Sequence, residues 1–211
     1  MGMKFKPSLL LFAFLAFGCN SASKFSSSQK SMILDGDNDA PMRVYKINNY
    51  SDSLLLRTES KKIKVDRDDE TLKTFVDRLY ATVRDSMSLG VGIAAPQVGI
   101  LKNIIWVQRF DKEDFPFEVY FNPKIVKYSD ETQPCREGCL SIPDRRDTTY
   151  VRAETILIEY DSYDQKRVRE EVSGFTAVVF QHEIDHLNGI LYLDHLKDEE
   201  NELGSQNPNE P

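Results

Sequence analysis

This sequence predicts an α+β domain built on antiparallel sheet, and two observations carry the prediction. Strand-like runs recur through the chain, and two of them, residues 155–160 and 166–172, face each other across the turn Asp161-Ser162-Tyr163-Asp164 as a hairpin would. Only two stretches have a convincing helical pattern, so strands dominate and helices are few. At 211 residues, 40% hydrophobic and 29% charged, the chain suits one globular domain with a proper core plus appendages. A formal net charge of −7 argues against a nucleic-acid surface. The acidic residues gather instead at 66–70 and 198–210, where solvated charge is the ordinary reading.

Lys4 and Lys6 precede an unbroken apolar run, residues 9–17, which ends in Gly18-Cys19 ahead of a serine-rich stretch. That is the order of a secretion signal, and the run is short of the roughly 20 residues that cross a bilayer. A cysteine after a small residue at the end of such a run resembles a bacterial lipoprotein signal, in which the cysteine is acylated and becomes the new amino terminus. Ala16 and Phe17 stand where a leucine and a small residue are commoner, so simple cleavage and no processing stay open. Residues 1–19 are thus expected to be the signal, 20–41 a flexible linker with six serines, 42–196 the folded domain and 197–211 an acidic disordered tail. The expected location is outside the cytosol, on a lipid anchor at Cys19. A translation start at Met32 or Met42 would give a cytoplasmic enzyme instead.

Within the domain, residues 44–50 are too short to assign, and Leu54-Leu55-Leu56 is expected to dock on the core. Asp68 or Asp69 caps a helix whose apolar positions, Leu72, Phe75, Val76, Leu79, Tyr80, Val83 and Met87, trace one face at a period of 3.6 residues. Such a stripe is core. The stretch Gly90-Val91-Gly92-Ile93-Ala94-Ala95-Pro96-Gln97-Val98-Gly99 has two glycines around a β-branched residue, which lets another backbone approach closely. It lacks the lysine of a P-loop and the third glycine of a dinucleotide fingerprint. A turn ahead of the next strand explains its glycines equally well. Residues 103–109, with Ile104-Ile105-Trp106-Val107, read as a buried strand, and so do 119–126 despite Pro123.

Gln181-His182-Glu183-Ile184-Asp185-His186 carries the chemistry. On a helix His182 and His186 leave the same face and can meet one divalent cation. Glu183 then stands beside that ion, placed to act on water rather than to bind the metal. A polar helix with solvent-facing or hydrogen-bonded histidines is the bland alternative; against it, two of the chain's three histidines fall in one turn. A tetrahedral ion that keeps one position for water needs a third protein ligand. The extended protease pattern has its glycine here as Gly189, but Tyr192 occupies the histidine position, and Glu199, Glu200 or Glu202 would have to reach in from the tail. Cys139, in Glu137-Gly138-Cys139-Leu140-Ser141, is the better candidate, in a region between strands where a loop can carry it to the helix. An inert buried thiol and a disulfide with Cys135 are its alternatives.

Residues 90–97, 137–141 and 181–189, in this order, resemble the three motifs of the peptide deformylase family. The resemblance extends over about residues 44–196, with Asp52-Ser53-Leu54-Leu55-Leu56-Arg57 only loosely similar. It implies antiparallel β-sheets around a central helix carrying the HExxH motif, and removal of the formyl group from N-formylmethionyl peptides or proteins with release of formate. It assigns Cys139, His182 and His186 to the metal, and Glu183 to taking a proton from water and returning it to the departing amine. The Gln97 amide and the Leu140 backbone N–H would stabilise charge growing on the formyl oxygen. Gly90, Val91 and Gly92 would pair with an extended peptide as an added strand, and Val91, Phe175, Val178 and His182 would line a pocket for methionine. Arg146 matches a position near the bound peptide, with a surface salt bridge as its alternative. Glu137 and Asp185 would orient ligands from behind, Glu137 foremost.

One divalent ion per chain follows, and one sulfur with two nitrogens suits iron, zinc, nickel or cobalt. The resemblance favours Fe2+, with Zn2+, Ni2+ or Co2+ as substitutes. The expected partners are an N-formylmethionyl peptide and, through Cys19, a membrane; no nucleic acid is expected, and the chain is expected to be a monomer. Two rival readings stand beside this one. A metallopeptidase sharing the helix motif would need no cysteine ligand, and a lipid-anchored binder of formyl peptides would have no use for Glu183.

Overall fold

The computed structural model describes residues 22–85 and 90–206, with side chains described as far as Asn201. The leader with Cys19, Met87 and residues 207–211 lie outside the described residues. Antiparallel sheet organises the domain. Five strands, β1 (Gly92–Ala94), β2 (Ile104–Gln108), β3 (Phe117–Tyr128), β6 (Thr155–Asp161) and β7 (Arg167–Ser173), pair in the order β1-β2-β3-β6-β7. A separate two-stranded sheet is formed by β4 (Thr132–Cys139) and β5 (Ile142–Ala153). β6 and β7 are the predicted hairpin, in register from Thr155↔Ser173 to Asp161↔Arg167.

The apolar run of β2 is explained by burial on both faces. Ile104 belongs to the core shared with helix α3 (Glu70–Arg84), and Ile105 and Val107 to the core shared with helix α4 (Gly174–Leu187). Pro123 interrupts β3 without ending it. The register shifts between Phe121 and Lys124, and the Asn122 side chain bonds both backbone groups of Ile63, at 2.8 and 2.9 Å. Asp69 caps α3 through Thr71 N and Leu72 N, and Leu72, Phe75, Val76, Leu79 and Val83 are buried as their spacing predicts. Tyr80 is the exception: it is 39% exposed, its ring against Trp106 and Phe117. α4 is apolar on nearly every side and touches strands of both sheets, which makes it the central element of the fold.

Three expectations need correction. Residues 22–41 are no free tether: Ser23 pairs with Ile63, and helix α1 (Ser27–Ile33) is capped by a reciprocal Ser26–Gln29 pair. Phe25 and Ile33 reach the core, with the Phe25 ring 5.6 Å from that of Phe75, edge to face. Serine-rich composition hid these two anchors, and a chain starting at Met42 would lose both. The tail from 197 also begins as helix, α5 (Tyr192–Gln206), seeded by Leu193 and Leu196 against the core and tied by Glu199, which accepts from Tyr150 N at 2.8 Å. Cys139 does not ride on a loop. It ends strand β4, because the chain reverses at Leu140-Ser141 and pairing with β5 sets Cys139 opposite Ile142. Helix α2 (Tyr50–Leu56) holds the leucine cluster, with only Leu56 fully buried and Leu54 exposed.

Phe25→Ala is expected to lower the unfolding free energy by about 3–5 kcal/mol in a urea titration. A loss under about 0.5 kcal/mol, the level of an ordinary surface change, would return the segment to the status of a tether.

Candidate active site

Helix α4 brings His182 and His186 to one side, and strand β4 delivers Cys139 to the same point. Sγ of Cys139 and one nitrogen from each histidine lie within 4.8 Å of one another, the Sγ–His186 Nε2 separation being 3.2 Å. Nδ1 of His182 is taken by Glu137 Oε2 at 2.8 Å, which turns its Nε2 toward the cysteine. Neither Cys139 nor Cys135 is in a disulfide. Glu183, one residue along from His182, is buried, and its Oε2 has no hydrogen-bond partner.

The side chains perturb one another strongly. Burial works to raise the Cys139 thiol, but His186 and His182 overcome it and bring it down to about 5. Burial also opposes charge on His182, yet Cys139 and Glu137 raise it well above the usual imidazole range. The Glu137 carboxylate resists burial through His182 and Arg152, which hold it well below the ordinary carboxylate range. Glu183 goes the other way. Burial pushes its carboxyl up to about 7 against the pull of the two histidines.

A groove of about 1240 Å³ opens over this cluster. The profile of the polypeptide deformylase family matches residues 44–202. The chain belongs to the peptide deformylase family. A peptide deformylase of Caulobacter sp. (strain K31) is 36% identical over 155 residues, 73% of this chain and 87% of that one. One of Agrobacterium fabrum is 39% identical over 144 residues, 67% of this chain and 81% of its own. Among solved structures, the class I type b peptide deformylase of Acinetobacter baumannii bound to Met-Ala-Ser superimposes with TM-score 0.65 at 33% identity, covering 74% of this chain and 99% of that one. The deformylase of Synechococcus elongatus in complex with actinonin gives 0.63 at 32% identity, over 74% and 78%. The family match begins at residue 44, so α1 and Phe25 precede it.

The deformylase motifs converge as follows. Gln97 accepts from Ala94 N at 2.9 Å, and its Nε2 donates to Ser141 Oγ at 3.2 Å and reaches Cys139 Sγ at 3.5 Å. Leu140 turns the β4–β5 hairpin beside Cys139. Gly90, Val91 and Gly92 line the groove where the chain enters β1, an edge strand that, among the described residues, pairs with β2 alone. The glycine at 92 is needed for a side chain, not for a second backbone: a Cβ there would stand 2.5 Å from Glu183 Oε1. Val178 and Phe175 line the groove, Val178 buried and Phe175 at 46% exposure on the rim. Arg146 lines it too and, among the described residues, makes no salt bridge. Asp185 faces away from the cluster, bonding Arg152 Nη1 at 2.6 Å and His195 Nε2 at 2.8 Å.

Sequence reading missed Arg152, which is buried and holds both Glu137 oxygens, Nε to Oε1 at 2.8 Å and Nη2 to Oε2 at 2.9 Å. Its only signal was an arginine between Val151 and Ala153 in a strand whose existence the pattern did not reveal. The residues present fit a divalent metal: one thiolate and two imidazoles converge, the tautomer of His182 is set from behind, and the orphaned Glu183 oxygen gives polar company for water. Glu137→Gln keeps the shape but weakens the hold on His182 and Arg152. Metal affinity measured by competition with a chelating dye is expected to fall about 10–100-fold; an unchanged affinity would make Glu137 a bystander.

Proposed function

We propose that this chain hydrolyses the formyl amide of N-formylmethionyl peptides to formate and a free amino terminus. The observation that carries the reading is the meeting of Cys139, His182 and His186 with Glu183 beside them, at the base of a groove bordered by the edge strand β1. A divalent cation held by these three residues would act there as a Lewis acid, polarising the formyl carbonyl and acidifying water. Fe2+ is the proposed native ion, on family grounds, with Zn2+, Ni2+ or Co2+ able to use the same donors.

The protein's own groups do the rest. The segment Gly90-Val91-Gly92, which leads into the outer edge of β1, would supply to an extended peptide those main-chain groups not already taken by Val83 and Gln108, and such bonds are indifferent to side-chain identity. Val91, Val178 and the ring of Phe175 give apolar wall for methionine. Gln97 is locked by Ala94 and Ser141, so its Nε2–H is a preorganised donor for charge on the formyl oxygen, and the Leu140 N–H is the second donor on family grounds. Glu183 takes the proton of the attacking water and hands it to the leaving nitrogen, so one carboxylate serves both half-steps. The peptidase alternative has no footing here, since Tyr192 bonds Asp147 at 3.1 Å and stacks against His182.

We also propose that the chain is exported and anchored through acylated Cys19, acting as a monomer on formylated peptides or exposed protein termini outside the cytosol. Support comes from the order of the leader, two lysines, an apolar run and Gly18-Cys19. With Ser23 already docked on Ile63, residues 20–22 alone would separate the lipid from the folded domain. Palmitate labelling of membrane fractions is expected to mark the protein and to be lost in Cys19→Ala; an unlabelled soluble band overturns the anchor.

The catalytic reading is tested by formate release from formyl-Met-Ala-Ser by anaerobically Fe2+-loaded protein. Glu183→Gln is expected to lose about 10²–10⁴-fold in kcat while keeping its metal. Absence of formate from the wild type, or full activity in the variant, contradicts it.

A further inference from the structure

Two arginines of the β4–β5 hairpin are left over once the catalytic groups are accounted for. Arg136 and Arg146 both line the groove. In the strand ladder Gly138 faces Arg146 and Arg136 faces Thr148, so the two arginines are diagonal neighbours on one face of the hairpin. Long side chains reach one another at that spacing. Glu137, between them in sequence, turns to the other face and is satisfied by His182 and Arg152.

The face is built for this. Arg146 lies flat over Gly138, where a Cβ would stand 3.0 Å from its Cγ and 3.1 Å from its Nε. The other arginines of the hairpin have carboxylate partners, Arg145 with Asp147 and Arg152 with Glu137 and Asp185. Among the described residues, Arg136 and Arg146 have none. The acidic groups of the same groove do not reach them: Asp52 is held by Arg43 and Lys46 N, and neither Asp85 nor Asp144 forms an ion pair with either arginine. Two adjacent guanidinium groups repel, and an anion between them relieves the repulsion while accepting their N–H donors.

We propose that Arg136 and Arg146 form a carboxylate-binding subsite that reads the substrate downstream of its formylmethionine. The inference rests on the deformylase reading above. Arg136 lies three strand residues before Cys139, a distance of about 10 Å. An extended peptide covers that length in about three residues, so the carboxylate read is that of the third residue: an acidic side chain, or the free terminus of a formylated tripeptide. A short formylated peptide with a free or acidic end is the preferred substrate class.

The test compares formyl-Met-Ala-Ala-amide with formyl-Met-Ala-Ala as the free acid, formyl-Met-Ala-Asp-amide and formyl-Met-Ala-Lys-amide at low ionic strength. One or both carboxylate peptides are expected to exceed the neutral amide by about three- to tenfold in kcat/KM, through KM, and the lysine peptide to fall below it. High salt should shrink the differences. The free-acid arm alone would name the terminus as the ligand, the aspartate arm alone the side chain. Arg136→Glu is read as a ratio between peptides, which a general loss of activity does not move, and should reverse the preference toward lysine. Calorimetric affinities of the products Met-Ala-Asp-amide and Met-Ala-Ala-amide report the same ratio without turnover. Equal rates and equal affinities across the set overturn the subsite. No formate from any peptide, with the product ratio intact, would instead sink the deformylase reading and leave the subsite standing.

Discussion

One carboxylate, that of Glu137, joins the strand that brings the sulfur to the helix that brings the imidazoles. It sits at the foot of β4 and is buried, an arrangement that would be costly for an unpaired charge. His182 Nδ1, Arg152 and Thr149 Oγ1 together satisfy both of its oxygens. Arg152 in turn is buried and reaches Asp185 on α4, one residue before His186, so two adjacent points of the helix are pinned to the hairpin. Without this joint, Cys139 and the histidines belong to elements that share no backbone hydrogen bonds, since β4 and β5 form their own sheet.

The second constraint is space. Glu183 is driven toward β1 by the same helical turn that aims the histidines, and only a residue without a Cβ at 92 leaves room for its carboxylate. That places the proposed acid–base group against the edge strand where an extended peptide would lie. A similar economy operates behind the helix, where Gly189 takes a positive φ of 73° and a Cβ would stand 2.5 Å from the carbonyl oxygen of Arg57. Helix α4 can therefore end close against the chain leaving α2.

Much of this was legible in the sequence. Spacing alone put His182 and His186 on one face, counting ligands pointed to Cys139, alternation gave the β6–β7 hairpin, and a continuous apolar run gave the buried β2. The α+β class with antiparallel sheet followed from those runs, and the resemblance placed α4 at the centre. β4 and β5 escaped notice because Thr-Gln-Pro-Cys-Arg-Glu-Gly-Cys and its partner are rich in polar and charged residues, and their pairing rests on a ladder rather than an apolar face. Composition misled at both ends: serines concealed Phe25 and Ile33, and glutamates concealed the helical start of α5. Each of those segments is held by only a few apolar contacts, too few to leave a periodic signal.

The most direct measurement is the near-ultraviolet absorption of the Co2+-loaded protein, where a cobalt-bound thiolate gives a charge-transfer band. Shared ligation by Cys139, His182 and His186 predicts a band that Cys139→Ser abolishes and Cys135→Ser leaves in place. A band that survives in the Cys139 variant, or that disappears with Cys135, would contradict it.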